Sequence, residues 1–212
     1  IKKDFLREIV QFIGVKYKNI DVIYHYSFYH EFEKNRSLSY QKFLNFVELN
    51  NLYNKNNEIL IVSGSKKRFK FEVLDILEKL KFDLSSNTKF GVAFNPYSLE
   101  DKDFKVERDR LIEKLNTCYV KSIWLQFGSE INQLSREINL LKNKIFDPYE
   151  IMDNKLKIYG SLFIPSKQFL ARFKFRPWRG VYLSSNYLNS IEESRKITKK
   201  IVDFYLNNSI IP

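Results

Sequence analysis

The sequence predicts an α/β fold of parallel strands alternating with helices, part of a (β/α)8 barrel of the TIM type that is incomplete over these residues. Three observations predict it. Five short apolar runs recur along the chain: Asp21–Tyr26, Glu58–Gly64, Lys89–Phe94, Val120–Gly128 and Leu156–Ile164. Each finishes on small or polar residues. Between successive runs lie stretches of helical periodicity, long enough for the right-handed crossovers that join parallel strands. That pattern suits a doubly wound sheet or an eight-stranded barrel. Five strands are too few to close the barrel, and Ser209–Pro212 read as the approach to another strand.

The elements follow in order. Phe5, Leu6, Ile9, Phe12 and Ile13 fall at helical spacing, so the chain is expected to open on an amphipathic helix over residues 2–13. Strand one occupies 21–26. Ser39 then starts a helix lined by Phe43, Leu44, Phe46, Val47 and Leu52, which the polar run Asn54–Asn57 ends. Strand two is 58–63. Phe71, Leu74, Ile76, Leu77 and Leu80 line the next helix, stopped by Ser85–Asn87. Strand three runs into Asn95-Pro96, where the proline forces a turn. A helix near 103–116 carries Val106, Leu111, Ile112 and Leu115. Strand four leads to a helix of about 130–143 with Ile131, Leu134, Ile138 and Leu141, and Asp147-Pro148 breaks the chain before strand five. Ser166 is placed to cap a short helix, Phe175–Arg179 is irregular, and Val181–Leu183 is a brief extended run. A last helix over 189–207, with Ile191, Ile197, Ile201, Val202, Phe204 and Tyr205 on one side, should pack on the sheet.

Composition limits what the chain can be. With 212 residues and 44% hydrophobic content it can bury one substantial core, and it reads as a single α/β domain over 1–212. No apolar run is long enough to cross a bilayer. The single Cys118 cannot form an internal disulfide and reads as a buried, inert thiol in a reducing compartment, the cytoplasm or the mitochondrial matrix. No Cys/His cluster has metal-ligand spacing. The chain begins with Ile1 and shows no signal peptide, which predicts a removed leader or a piece of a longer chain. Its net charge of +11 favours a polyanionic partner such as nucleic acid, phosphate or anionic lipid, although a solvated basic surface gives the same number.

In an α/β barrel the carboxyl ends of the strands share the face where ligands gather. The candidates there are His25, Ser63 to Ser65, Asn95, Gln126 and the Ser161–Lys167 segment. Gln126, late in an apolar strand, needs partners if buried, from the barrel interior or from a ligand. His25 sits among aromatic residues, as a core histidine or a cofactor contact. His30 reads as surface. Two basic segments follow strand ends: Lys66, Lys67, Arg68 and Lys70 after strand two, and Lys167, Arg172, Lys174, Arg176 and Arg179 after strand five. Such a rim suits a pyrophosphate or a carboxylate tail. With Phe173, Phe175 and Trp178 interleaved it equally suits RNA, and solvated loop charge is the third reading. No glycine-rich dinucleotide fingerprint and no Walker loop is present.

The strand ends resemble the methylenetetrahydrofolate reductase family of (β/α)8 barrels. Five segments carry the resemblance: His25, Leu60–Ser65 (LIVSGS), Phe90–Pro96 (FGVAFNP), Ser122–Phe127 (SIWLQF) and Ile158–Ser166 (IYGSLFIPS), which would be strands three to seven of such a barrel. It implies a flavoprotein passing hydride from NAD(P)H through FAD to a one-carbon folate. By the same resemblance His25, Gly64, Ser65, Lys67 and Asn95 would contact the cofactor, and Gln126 and Ser161 the folate. The chain departs from the family at two acids. Ser65 stands where the family has a flavin-contacting aspartate, and the glutamate of the family's first strand has no counterpart. A hydroxyl cannot supply the carboxylate's charge to the flavin, and no proton donor for the folate is evident. Two readings follow: a reductase-like flavin and folate barrel, or a catalytically silent barrel serving as a structural subunit of a large mitochondrial assembly, ribosomal or respiratory. The latter would use the rim of Lys66, Arg68, Lys167, Arg172, Lys174, Arg176 and Arg179 on RNA or on other protein subunits.

Overall fold

A computed structural model of the chain describes residues 8, 12–13, 15–17, 22–53, 58–63, 72–83, 88–98, 101–117, 119–145 and 156–212. Five parallel strands, β1 (Tyr24–Ser27), β2 (Glu58–Val62), β3 (Lys89–Phe94), β4 (Val120–Leu125) and β5 (Lys157–Tyr159), form one sheet in the order β1-β2-β3-β4-β5. The helices are α1 (Arg36–Tyr53), α2 (Val73–Asp83), α3 (Asp101–Leu115), α4 (Ile131–Ile145), α5 (Lys167–Phe175), α6 (Ser185–Asn189) and α7 (Ile191–Asn207). Each strand lies beside its predecessor, so the order never reverses. A doubly wound sheet has such a reversal, and its ligand crevice lies there.

The contacts fall into two compact units, one of residues 1–91 and 117–120, the other of 92–116 and 121–212. In the first, β1 and β2 pair with Tyr24 opposite Ile59 and Tyr26 opposite Ile61. Side chains alternate across a strand, so these four share one face while His25 opposite Leu60 and Ser27 opposite Val62 share the other. The Tyr26 face is the core: its ring meets Phe28 and Phe43 at centroid distances of 5.1 Å each, and Phe43 reaches Phe90 at 6.1 Å. Val47 of α1 and Ile76, Leu77 and Leu80 of α2 are buried in the same unit. Lys42 of α1 pairs with Glu31 (3.1 Å) and Glu33 (2.5 Å), tying that helix to the loop after β1.

In the second unit β4 and β5 pair with Ile123 opposite Ile158 and Trp124 opposite Tyr159. Ile123 and Ile158 are buried. Trp124 and Tyr159 stack on the other face, with centroids 4.3 Å apart and planes 22° from parallel. Leu134, Ile138 and Leu141 of α4 bury at helical spacing. A second cluster of Phe127, Phe169, Leu170, Phe173 and Tyr187 joins α5 and α6 to the end of β4. On the far side of β5, Ile211 forms a parallel bridge with Tyr159: its N–H donates to Ile158 O (2.9 Å) and its carbonyl accepts from Gly160 N (2.7 Å). Ser209–Pro212 thus do approach a further strand position.

Several local expectations shift. Asn35, not Ser39, caps α1: its side-chain oxygen accepts from Leu38 N at 2.9 Å, and the helix starts at Arg36. Ser39 turns inward, its hydroxyl donating to Asn35 O and accepting from Glu33 N. Leu52 and Val106, expected on apolar faces, are 74% and 52% exposed. The last helix starts at Ile191, close to its expected start, because Ser190 is extended and caps α7 by accepting from Glu193 N, and the short α6 ahead of it is an addition to the expected elements. Strand five is shorter than its apolar run. The helix over 2–13 falls mostly, and Ser85–Asn87, Asp147-Pro148 and Cys118 entirely, outside the described residues.

Candidate functional site

Asn95, Gln126, Ser161 and the basic segment from Lys167 to Arg179 lie at or after the carboxyl ends of β3, β4 and β5 within the second unit, whereas His25 and Ser63 belong to the first. Gln126 N donates to Phe94 O at 2.8 Å, carrying the β3–β4 ladder one residue past the strand. There the Gln126 side chain is exposed rather than buried, with its oxygen accepting from Phe127 N at 3.0 Å. The requirement for a buried amide partner therefore does not arise. Beyond β5, Ser161 is half-buried and its carbonyl accepts from the Tyr205 hydroxyl at 3.3 Å.

Asn95 follows β3 directly and is used by the fold. Its side-chain NH2 donates to Gly180 O at 3.0 Å, and its oxygen accepts from Tyr97 N at 3.2 Å, closing a side-chain turn. Gly180 has φ +77°, a left-handed conformation that suits glycine. Val181 N donates back to Trp178 O at 3.1 Å, and Arg176 N to Arg172 O at 2.8 Å. The loop over residues 176–181 is thereby fastened at α5, at β3 and within itself. Just downstream, Tyr182 bridges Gly128 and its carbonyl accepts from Ser129 N, seating the following segment on the end of β4.

Ser166 caps α5 as expected, accepting from Phe169 N at 3.1 Å. That helix buries Phe169, Leu170 and Phe173, so Phe173 cannot stack on a ligand as the sequence pattern suggested. Phe175, by contrast, is 92% exposed and Trp178 is 50% exposed. Phe163, Phe169 and Phe173 meet the indole of Trp178 at 5.8, 5.5 and 6.1 Å, with planes crossing at 76°, 64° and 67°. Arg172, Lys174, Arg176 and Arg179 are exposed, and none forms a carboxylate ion pair among the described residues. Lys167 differs. The Glu192 carboxyl is held below its usual range first by its own backbone N–H, then by the Ser190 hydroxyl, with Arg195 and Lys167 adding positive charge.

His25 belongs to the first unit. It is exposed on β1, which removes the core-histidine reading. Partial burial of the imidazole lowers its pKa, and the nearby His30 adds to the effect. His30 is at the surface, as expected. Gly64, Ser65, Lys66, Lys67, Arg68 and Lys70 lie outside the described residues. Among the described residues no group of three His, Cys, Asp or Glu side chains is placed to hold a metal ion, and no helix is long and apolar enough to cross a membrane.

Two features of this rim escape sequence reasoning. Gly128 is overlaid by the Tyr97 ring and Gly160 by the Tyr205 ring, so neither glycine position has room for a Cβ. Only the glycines themselves, at strand ends, hint at close packing. The anchoring of Gly180 by Asn95 spans 85 positions and leaves no local signal beyond a glycine in an irregular stretch. Chemically, amides and guanidinium groups recognise and orient a ligand; they do not relay protons. No protein-family model and no curated protein sequence matches the chain.

Proposed function

We propose that the chain is part of a reductase-like (β/α)8 barrel that holds a one-carbon folate, with FAD and NAD(P)H as redox partners, at the carboxyl ends of its strands. The observation that carries this reading is Gln126: an exposed amide one residue beyond β4, at the ligand end of a sequential parallel sheet. The resemblance calls for a folate-contacting glutamine at this position. Folate is better supported than flavin. Asn95, assigned to the cofactor, has both amide atoms committed to Gly180 and Tyr97, and Ser65 offers a hydroxyl in place of a carboxylate.

The purified protein should then carry flavin absorbance near 450 nm, the usual flavin region, or take up added FAD. Gln126→Ala should weaken folate binding about tenfold, the cost of one or two hydrogen bonds to a ligand, with flavin content unchanged. Folate affinity unaltered in that variant would remove Gln126 from the site.

A second reading is a catalytically silent barrel serving as an RNA-contacting structural subunit of a mitochondrial assembly. It is favoured by Arg172, Lys174, Arg176 and Arg179, exposed and without carboxylate ion pairs among the described residues. Colourless protein that co-purifies with a ribonucleoprotein complex would select it over the first.

A further inference from the structure

We propose that the loop after α5 is a nucleotide-binding site, in which a base stacks on the indole of Trp178 and the guanidinium groups of Arg176 and Arg179 take the phosphate. The proposal goes beyond the reductase-like reading and deepens the RNA-contacting one at the same basic loop. None of its ligand contacts is a residue assigned to folate or flavin; Asn95 enters only through its hydrogen bond to the loop backbone.

Three independent features of the loop converge on this chemistry. The first is the ring. Trp178 is held by Phe163, Phe169 and Phe173, none of which lies flat on the indole, and half of the side chain stays exposed. A buried role would have covered it. An immobilised, half-exposed indole offers a flat apolar surface at low ordering cost, and base stacking on such rings contributes about 1–3 kcal/mol per base.

The second is the charge around the ring. Trp178 lies between Arg176 and Arg179 in sequence, and Arg172 and Lys174 on the last turn of α5 extend the positive field. All four side chains are exposed. Guanidinium groups match phosphate oxygens with paired N–H donors.

The third is the fixed backbone. The loop is closed by Arg176 N to Arg172 O and by Val181 N to Trp178 O, and Gly180 O is clamped by Asn95 at the end of β3. A merely solvated basic loop has no need of this anchoring to a strand end 85 positions away. The ring and the loop backbone that carries the arginines are fixed before any ligand arrives, at the ligand end of the parallel strands.

A base can stack on Trp178 only if it is unpaired. The shared ligand chemistry is therefore a nucleotide, either free or within a single strand; duplex would offer phosphates alone.

The test uses indole fluorescence. The chain has two tryptophans, so Trp124→Phe leaves Trp178 as the single reporter. Its emission should be quenched saturably by ADP, by a short single-stranded RNA oligonucleotide, or by both. Quenching by ADP identifies a free-nucleotide site, and quenching by RNA alone identifies a strand site; either sustains the proposal. Arg176→Glu with Arg179→Glu should weaken binding at least about tenfold. Trp178→Leu keeps an apolar side chain against the phenylalanines and should weaken binding of the same ligands about tenfold by calorimetry. Inorganic pyrophosphate should bind more weakly and be indifferent to Trp178→Leu. The proposal is overturned if neither ADP nor single-stranded RNA binds saturably, or if Trp178→Leu leaves their affinity unchanged. Folate binding, measured on the same variants, should be unaffected, which separates this outcome from that of the reductase-like reading.

Discussion

At Gly128 and Gly160 the absence of a side chain is what the neighbouring tyrosines require. A Cβ at Gly160 would collide with the Tyr205 ring and one at Gly128 with the Tyr97 ring, both of them fully buried. Neither ring can swing away without leaving the core, so the clash cannot be relieved at a flexible tip. Gly160→Ala should cost about 2 kcal/mol or more in chemical denaturation. Tyr97→Phe should behave in the opposite way. The Tyr97 hydroxyl is buried with the Tyr205 phenol beside it but makes no well-formed hydrogen bond, so removing it relieves a desolvation penalty and should be neutral or slightly stabilising. A loss above about 1 kcal/mol in Tyr97→Phe would show instead that its hydroxyl is paired with the neighbouring Tyr205.

Among the elements, α3 and α4 meet through a buried charge. Glu137 of α4 is fully buried, with one oxygen accepting from Arg108 of α3 at 2.6 Å and the other from Arg136 Nε at 3.3 Å. The Arg136 guanidinium also lies over the Phe104 ring of α3, 4.4 Å from its centre. Breaking such a cluster from one side leaves a charge with no counter-ion, which costs more than the cluster contributes when intact. Glu137→Ala should therefore destabilise by about 3 kcal/mol, and adding Arg108→Ala should recover part of it, a coupling that a double-mutant cycle reads directly. Elements of this kind show where a sequence stops being legible. The 134, 138, 141 spacing of α4, the Ser166 cap and the bridging approach of Ile211 are local signals, and each is visible in the chain. Asn35 displaced Ser39 as a cap because either can start a helix by sequence, and the hydroxyl of Ser39 is needed by Glu33 instead. Gln126 ends an apolar run, and only the point where the strand stops decides its burial: it stops at Leu125 and the amide emerges. Phe173 and Phe175 look equivalent in sequence, and only the seating of α5 decides that the first is core and the second exposed.

For the molecule as a whole, charge and burial set opposing limits on stability at alkaline pH. An excess of 11 positive charges makes the folded chain repel itself, and deprotonating lysines as pH rises relieves that repulsion. The buried phenols act the other way. Burial pushes Tyr205 up to about 12, and burial, with Tyr205 and Glu130 nearby, pushes Tyr97 well above the ordinary tyrosine range. A group whose pKa is raised by folding contributes its full stability below the unfolded value of about 10 and loses it as pH climbs through the folded value. In the unfolded chain both phenols ionise first, so the unfolded state gains from every unit above pH 10. The chain should therefore hold its stability up to about pH 10 and lose it between about 10 and 12, on the order of 2 kcal/mol from Tyr205 alone. Unfolding by far-ultraviolet circular dichroism should coincide with a late step in tyrosinate absorbance near 295 nm. Tyr205→Phe has no phenol to ionise at that position, so its alkaline transition should move to higher pH even though the variant loses the hydrogen bond to Ser161 O. An alkaline midpoint that stays in place in Tyr205→Phe would mean that lysine deprotonation, not the buried phenols, sets the limit.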